Sequence, residues 1–357
     1  MLKKYPLLIH IALRGLMYKE RNDNSMIKSD FVYLTPESLS IAYEQKKEHI
    51  NSAYLAGGTD YIPLLKYNLK EPSFIISLDR IPELKRTINE EKYLYIGAMT
   101  TLREVYENKL ITELFPSLSS AARKVASPQL RNAGTIGGNI LQDRRCLYFN
   151  QSGDWRKNIE RCYKVGGCVC LQAPNSDVCR ALYYSDIAPV LISLDAEAEL
   201  FDGKLIRIPI KEVIKKHVEL NGILNTHDYI LTGFYIPYLQ KKSWLKFEKY
   251  SLRDSLNFAI MNVGVRYSQK ADNPVIKIIV GAVSPKPLEL TDTENMIIDR
   301  LYNLKNIKDE IAEFALTELT KKSHVVGETG ISIKVKRNNF KNILNIIDEL
   351  TLEITGK

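Results

Sequence analysis

The chain has 357 residues, 45% hydrophobic and 26% charged, with a formal net charge of +8. This is the composition of a globular protein longer than one ordinary core, so two or three domains are expected. The positive charge is spread without a Lys/Arg block, against a nucleic-acid-binding arm, and no segment reaches the roughly 18 apolar residues of a membrane span.

The first apolar run, Tyr5 to Leu13, is short, broken by His10 and without a small-residue cleavage site, so it is not read as a signal peptide. A cytoplasmic location, with neither membrane nor nucleic acid as partner, is the expectation. Residues 1–25 are read as an extension of no assigned role. Downstream, S-A-Y-L-A-G-G-T-D is a short strand running into a glycine turn, with a helical stretch from Tyr61. S-F-I-I-S-L and K-Y-L-Y-I-G-A-M are further strands, and Thr101 with Glu104 predicts a capping box at the next helix. A helix over Ser117–Ala126 precedes a glycine-dense loop, R-N-A-G-T-I-G-G-N-I, and the cysteine-bearing stretch follows directly. E-A-E-L-F-D-G-K-L-I-R-I predicts a hairpin around Asp202-Gly203. From about Lys241 the strands W-L-K-F-E-K-Y, N-F-A-I-M-N-V-G-V-R-Y and P-V-I-K-I-I-V-G-A-V lead into helical runs at 291–304, 306–321 and 337–352, a separate α+β unit.

Two features carry chemistry. A-G-G-T-D at 56–60 and T-I-G-G-N at 135–139 each let backbone N–H groups approach an anion, and Thr59, Thr135 and Asn139 add side-chain donors. A tight structural turn explains either loop alone equally well. Two of them suggest a diphosphate held from both sides, and neither matches the Rossmann or P-loop pattern. Gly137 and Gly138 are expected to leave room for that diphosphate.

All five cysteines lie between Cys146 and Cys179. A large reduced chain favours metal over disulfides. The absence of paired C-x₂-C knuckles favours iron–sulfur over zinc, with zinc and incidental thiols left open. Arg144, Arg145, Arg156, Lys157, Arg161, Lys164 and Arg180 surround them, either as a solvated face or to offset cluster charge and steer an acidic electron carrier.

The order A-G-G-T-D, Q-L-R-N-A-G-T-I-G-G-N, S-D-I-A-P-V-L, with F-E-K-Y-S-L-R-D-S and V-G-A-V-S-P-K-P later, resembles the FAD-binding medium subunit of the molybdenum hydroxylase (xanthine dehydrogenase) family from Met26 onward. Between T-I-G-G-N and S-D-x-x-P this chain carries about forty extra residues. They are similar to the insertion of the 4-hydroxybenzoyl-CoA reductase-type members, which holds a 4Fe–4S cluster.

The resemblance implies an α+β fold: an FAD-binding domain of the PCMH, medium-subunit type at 26–240, with two α/β subdomains split near 86 and an iron–sulfur insertion at about 143–181. A C-terminal α+β domain with a small antiparallel sheet would occupy 241–357. It implies noncovalent FAD held by Leu55, Ala56, Gly57, Gly58, Thr59, Asp60, Tyr61, Thr135, Ile136, Gly137, Gly138 and Asn139. Asp186 is implied near the flavin nucleotide, Leu231 beside the adenine and Lys249 near the isoalloxazine. The resemblance implies that Cys146, Cys162, Cys170 and Cys179, in the order C-x₁₅-C-x₇-C-x₈-C, are the cluster ligands and Cys168 the spare. No catalytic residue is expected on this chain. The implied function is electron transfer from ferredoxin through 4Fe–4S and FAD to a 2Fe–2S small subunit and a molybdenum-cofactor large subunit, in a heterotrimer that dimerises. The alternative is the FAD subunit of an oxidative hydroxylase using NAD or quinone.

Overall fold

The computed structural model describes residues 27, 29–220, 229–253, 257–269, 274–327 and 331–356. The extension at 1–25 lies outside the described residues. Three sheets organise the rest.

The first sheet is parallel, with β1 (Val32–Leu34) and β2 (Ser52–Leu55) flanking β3 (Phe74–Ser77). Parallel neighbours need crossovers, here helix Leu39–Glu48 between β1 and β2 and helix Tyr61–Lys66 between β2 and β3. Ser38 caps the first helix by accepting from the Ile41 N–H. Ile75 and Ile76 are both fully buried but join different apolar clusters, because successive strand residues face opposite sides.

The second sheet is antiparallel and five-stranded. It contains β4 (Thr87–Asn89), β5 (Tyr93–Gly97), β6 (Glu197–Phe201), β7 (Leu205–Pro209) and β8 (Ile230–Pro237), in the order β4-β5-β8-β6-β7. The hairpin predicted at Asp202-Gly203 joins β6 to β7, and Gly203 takes φ 104°, open to glycine at little cost. The capping box is present: Thr101 Oγ1 accepts from the Glu104 N–H at 3.2 Å, and Glu104 Oε2 accepts from the Thr101 N–H at 2.8 Å. Ile111, Phe115 and Leu118, from the helices that follow, are fully buried against this sheet.

The third sheet, β9 (Ser243–Tyr250), β10 (Met261–Ser268), β11 (Val275–Gly281) and β12 (Leu288–Glu289), is antiparallel. Helices Thr291–Asp299, Leu304–Lys322, Ile333–Asn339 and Asn342–Thr355 build a core with it around Val263, Ile278, Ile311 and Ile347. The single last helix expected at 337–352 is two pieces, because the chain turns at Phe340 to bury that ring. The opposite face of β10 and β11 lies on helix Ala188–Ser193. A Cβ on Gly264 would stand 2.6 Å from the Pro189 carbonyl oxygen, so only glycine admits this approach.

Arg145 and Leu182 exchange backbone hydrogen bonds of 2.8 and 2.9 Å, closing the base of the cysteine-bearing segment between them. Inside it are a four-residue helix, Gly153–Arg156, and a 3₁₀ turn, Tyr163–Val165.

Candidate functional site

The two glycine loops come from different sheets and meet back to back. The first leaves β2, and Gly58 takes φ 72° to turn the chain into helix Tyr61–Lys66. A Cβ on Gly57 would run into the Ala133 carbonyl just ahead of the second loop. That loop is stitched to the exit of β5: the Ile136 N–H donates to the Thr100 carbonyl and the Gly137 N–H to the Ala98 carbonyl, both at 2.9 Å. Thr135 caps helix Ile136–Ile140 through Oγ1, which accepts from the Gly138 N–H at 3.0 Å. A Cβ on Gly137 would sit 2.7 Å from the Ala98 Cβ and 2.8 Å from its oxygen, so only glycine lets the loop lie this close to the exit of β5. Gly138 is more open, with Thr135 Oγ1 at 2.9 Å and the next atom, the Ala56 Cβ, at 4.0 Å.

Between the loops lies a cavity of about 290 Å³. Ala56, Gly57, Gly58, Thr59, Asp60 and Tyr61 wall one side, Thr135, Gly137, Gly138 and Asn139 another, and Leu231 contributes from β8. Leu55 and Ile136 do not line it. Both are at least 98% buried, because each ends or begins an element whose apolar side chain belongs to the core. Asp186 and Lys249 do not line it either. Their charged ends meet at 2.6 Å, and Asn262 Nδ2 donates to the other Asp186 oxygen at 2.6 Å. The S-D-I-A-P motif thus fastens the third sheet to the rest of the protein, with Pro189 seated on Gly264 and Asp186 bonded to β9 and β10.

Several wall residues carried no sequence signal, among them Lys46, Tyr54, Lys70, Asp143, His217 and Phe258, while Arg145 was read only with the cysteines. Asp60 binds the first loop to the start of the insertion. Its carboxylate accepts from Arg145 Nη2 at 2.5 Å and from the Asp143 N–H at 3.0 Å. Asp143 in turn pairs with Lys164, which is almost wholly buried and also donates to the Arg144 carbonyl at 2.8 Å. His217, on helix Ile210–Leu220, has Nε2 2.8 Å from the Gln142 carbonyl oxygen, and burial pushes its pKa down to about 4. Lys70 is held down to about 8 by burial, with Asp143 opposing that shift.

Cys146, Cys162, Cys170 and Cys179 wall a second, small cavity with Tyr148, Phe149, Tyr163 and Lys164, while Cys168 is exposed and outside it. Burial raises the Cys146 pKa, although the backbone N–H groups of Phe149 and Tyr148 act on the sulfur in the opposite sense. Gly167 lets the turn between Cys162 and Cys170 close on the Arg161 carbonyl. Trp155 is 42% exposed and lies against Tyr148 rather than on the cavity. Among the described residues, no three His, Cys, Asp or Glu side chains form a group able to hold a single metal ion. Arg144 and Lys164 are buried, so these two cations are no solvated face.

Two backbone loops with free space between them, approached by cationic side chains, define a protein that holds an extended anionic cofactor. The family described as "FAD binding domain in molybdopterin dehydrogenase" matches residues 27–239. The chain belongs to that family, and FAD is its cofactor. It is 36% identical to the carbon monoxide dehydrogenase medium chain of Hydrogenophaga pseudoflava over 116 residues, 32% of this chain and 40% of that one, so the match spans well under half of that relative. It is 24% identical to the putative xanthine dehydrogenase FAD-binding subunit of Escherichia coli (strain K12) over 297 residues, 82% of this chain and 87% of that one. The solved structure of carbon monoxide dehydrogenase from Hydrogenophaga pseudoflava superposes with a TM-score of 0.70 at 18% identity, covering 91% of this chain and 98% of that one. Quinoline 2-oxidoreductase from Pseudomonas putida 86 gives 0.67 at 17%, covering 91% and 97%. At these identities the structures speak for the fold alone, which is the expected α+β, PCMH-type arrangement. Among the described residues no helix is long and apolar enough to cross a membrane.

Proposed function

We propose that this chain is the FAD- and 4Fe–4S-carrying electron-transfer subunit of a molybdenum-dependent complex of the 4-hydroxybenzoyl-CoA reductase type. Ferredoxin would be its electron source, and a molybdenum-cofactor large subunit with a 2Fe–2S small subunit would complete a dimerised heterotrimer for reductive dehydroxylation. The FAD-binding domain would span 26–240, split near 86 and interrupted by the insertion at about 143–181, with the C-terminal domain at 241–357. The observation that carries the reading is the cysteine set: four thiols wall one cavity and the fifth stands outside it.

A Cys₄ donor set of this kind suits a 4Fe–4S cluster, whose four ligands stand further apart than those of one ion. The cavity between the thiols is only about 10 Å³, so they must part to admit a cluster. Buried Arg144 and Lys164 would offset the charge of the thiolates, and Tyr148 and Phe149 exclude water from them. FAD, when bound, supplies the exchange of electrons singly or in pairs. The residues around its cavity hold it in place: Gly138 leaves space beside the second loop, and Asp60 pins the first loop to the insertion. Arg145 walls the flavin cavity and its neighbour in the chain, Cys146, walls the thiol cavity. Asp186 and Lys249 act here as the fastener of the third sheet.

The relatives favour a second reading. Carbon monoxide and xanthine dehydrogenases are oxidative enzymes, and with such a partner this chain would pass electrons out to NAD or quinone. Anaerobic purification followed by iron analysis and a visible spectrum tests the first reading, which expects flavin bands, a broad iron–sulfur shoulder and four irons per chain. A flavin spectrum without iron, with rapid reduction by NADH, transfers the assignment to the second.

A further inference from the structure

Resting on the reading of the 290 Å³ cavity as the FAD site, we propose that Lys70 is the ionic anchor for the phosphate groups of the dinucleotide. The glycine loops offer only neutral donors, whereas the diphosphate carries two negative charges. The charged side chains of the wall near Lys70 are otherwise spoken for: Arg145 is bound to Asp60 at 2.5 Å, and Asp143 is bound to Lys164. The charges that face Lys70 are Asp143, already engaged, and the cations Lys164 and Arg156. Among the described residues, Lys70 forms neither an ion pair nor a hydrogen bond, although it is largely removed from water. An ammonium that lines the cavity and is held directly by no carboxylate can pair with a phosphate oxygen of the ligand, a charge-assisted contact. Burial leaves Lys70 titrating near 8, so at neutral pH most molecules present the charged form to the ligand.

The test uses the full chain stripped of flavin, titrated with FAD and with riboflavin while flavin fluorescence is followed. Lys70→Gln and Lys70→Met are expected to weaken FAD binding about 10- to 100-fold, Lys70→Arg to restore most of it, and riboflavin binding to stay unchanged. The wild type should also lose FAD affinity more steeply with salt than the two neutral variants. Equal weakening of FAD and riboflavin would overturn the assignment, because the contact would then lie away from the phosphates. So would FAD affinity within about twofold of wild type in both neutral variants. Gly138→Val separates this from the cavity reading itself: if that variant also keeps FAD, the cavity is wrong, and if it alone loses FAD, only Lys70 is.

Discussion

The carboxylate of Asp186 and the ammonium of Lys249 meet at 2.6 Å with side chains 5% and 7% exposed, joining the helix-bearing S-D-I-A-P segment to β9. Lys249 Nζ also donates to the Lys124 carbonyl at 2.8 Å, and Asn262 completes the carboxylate's bonds. Removing one partner strands the other charge in a dry interface. Asp186→Ala is expected to destabilise the protein by about 3 kcal/mol, while Asp186→Ala with Lys249→Met costs less than the sum of the two single changes. Denaturant unfolding of the four proteins checks this; strict additivity would show that the pair is not coupled.

The neighbouring glycines of T-I-G-G-N should fail differently. Gly137→Ala places a methyl against the Ala98 backbone and is expected to cost about 1–3 kcal/mol of stability. Gly138→Val meets only the capping hydroxyl of Thr135 and otherwise open space, so it should fold with a weakened cap and yet lose FAD. Thermal unfolding beside flavin content distinguishes the two effects.

Among the cysteines, Cys168→Ser should retain four irons per chain, and serine at Cys146, Cys162, Cys170 or Cys179 should lose or degrade the cluster. Iron analysis with the visible spectrum decides it. Iron surviving at Cys170→Ser but lost at Cys168→Ser would mean that the ligand register is shifted.

His217 sets an acid limit. Its pKa is about 4 in the folded chain against 6.5 for an exposed histidine, so the unfolded chain binds the extra proton between those values. Stability is therefore full above about 6.5 and falls as pH drops toward 4, by about 3 kcal/mol for this group alone. Glu294 works in the opposite sense. Burial holds it up at about 7, so its contribution is present below 4.5 and lost as pH rises through 7. His217→Gln should flatten the acid limb of a stability–pH curve, and Glu294→Gln should flatten the decline toward neutrality.

Strands, the capping box and the Asp202-Gly203 hairpin were legible because each is written in a short window: alternation, Thr101 with Glu104, a turn pair. Strand direction was not. The two hairpins of the second sheet are local, but β8 inserts between β5 and β6 from far along the chain, antiparallel to both. The site divides the same way. The glycine loops are local signals, and the family resemblance, not spacing, singled out Cys168 as the thiol that stands apart. Lys70 and His217 carry no motif, and His217 reaches the cavity only through folding at long range. The partners of Asp186, Lys249 and Asn262, lie 63 and 76 residues away, so its bonds across to the third sheet left no local signal.

The approach of Gly57 to Ala133 has a consequence for assembly. One wall of the flavin cavity hangs from the parallel sheet and the other from the antiparallel one, so neither half owns a nucleotide site. The cavity exists only while the two halves stay docked, so a ligand bound in it would favour the docked arrangement. A flavin bound there would clamp the two halves together. Its retention during purification measures how firmly the halves hold together, and a surface substitution far from the ring that loosens them will read as weakened flavin binding.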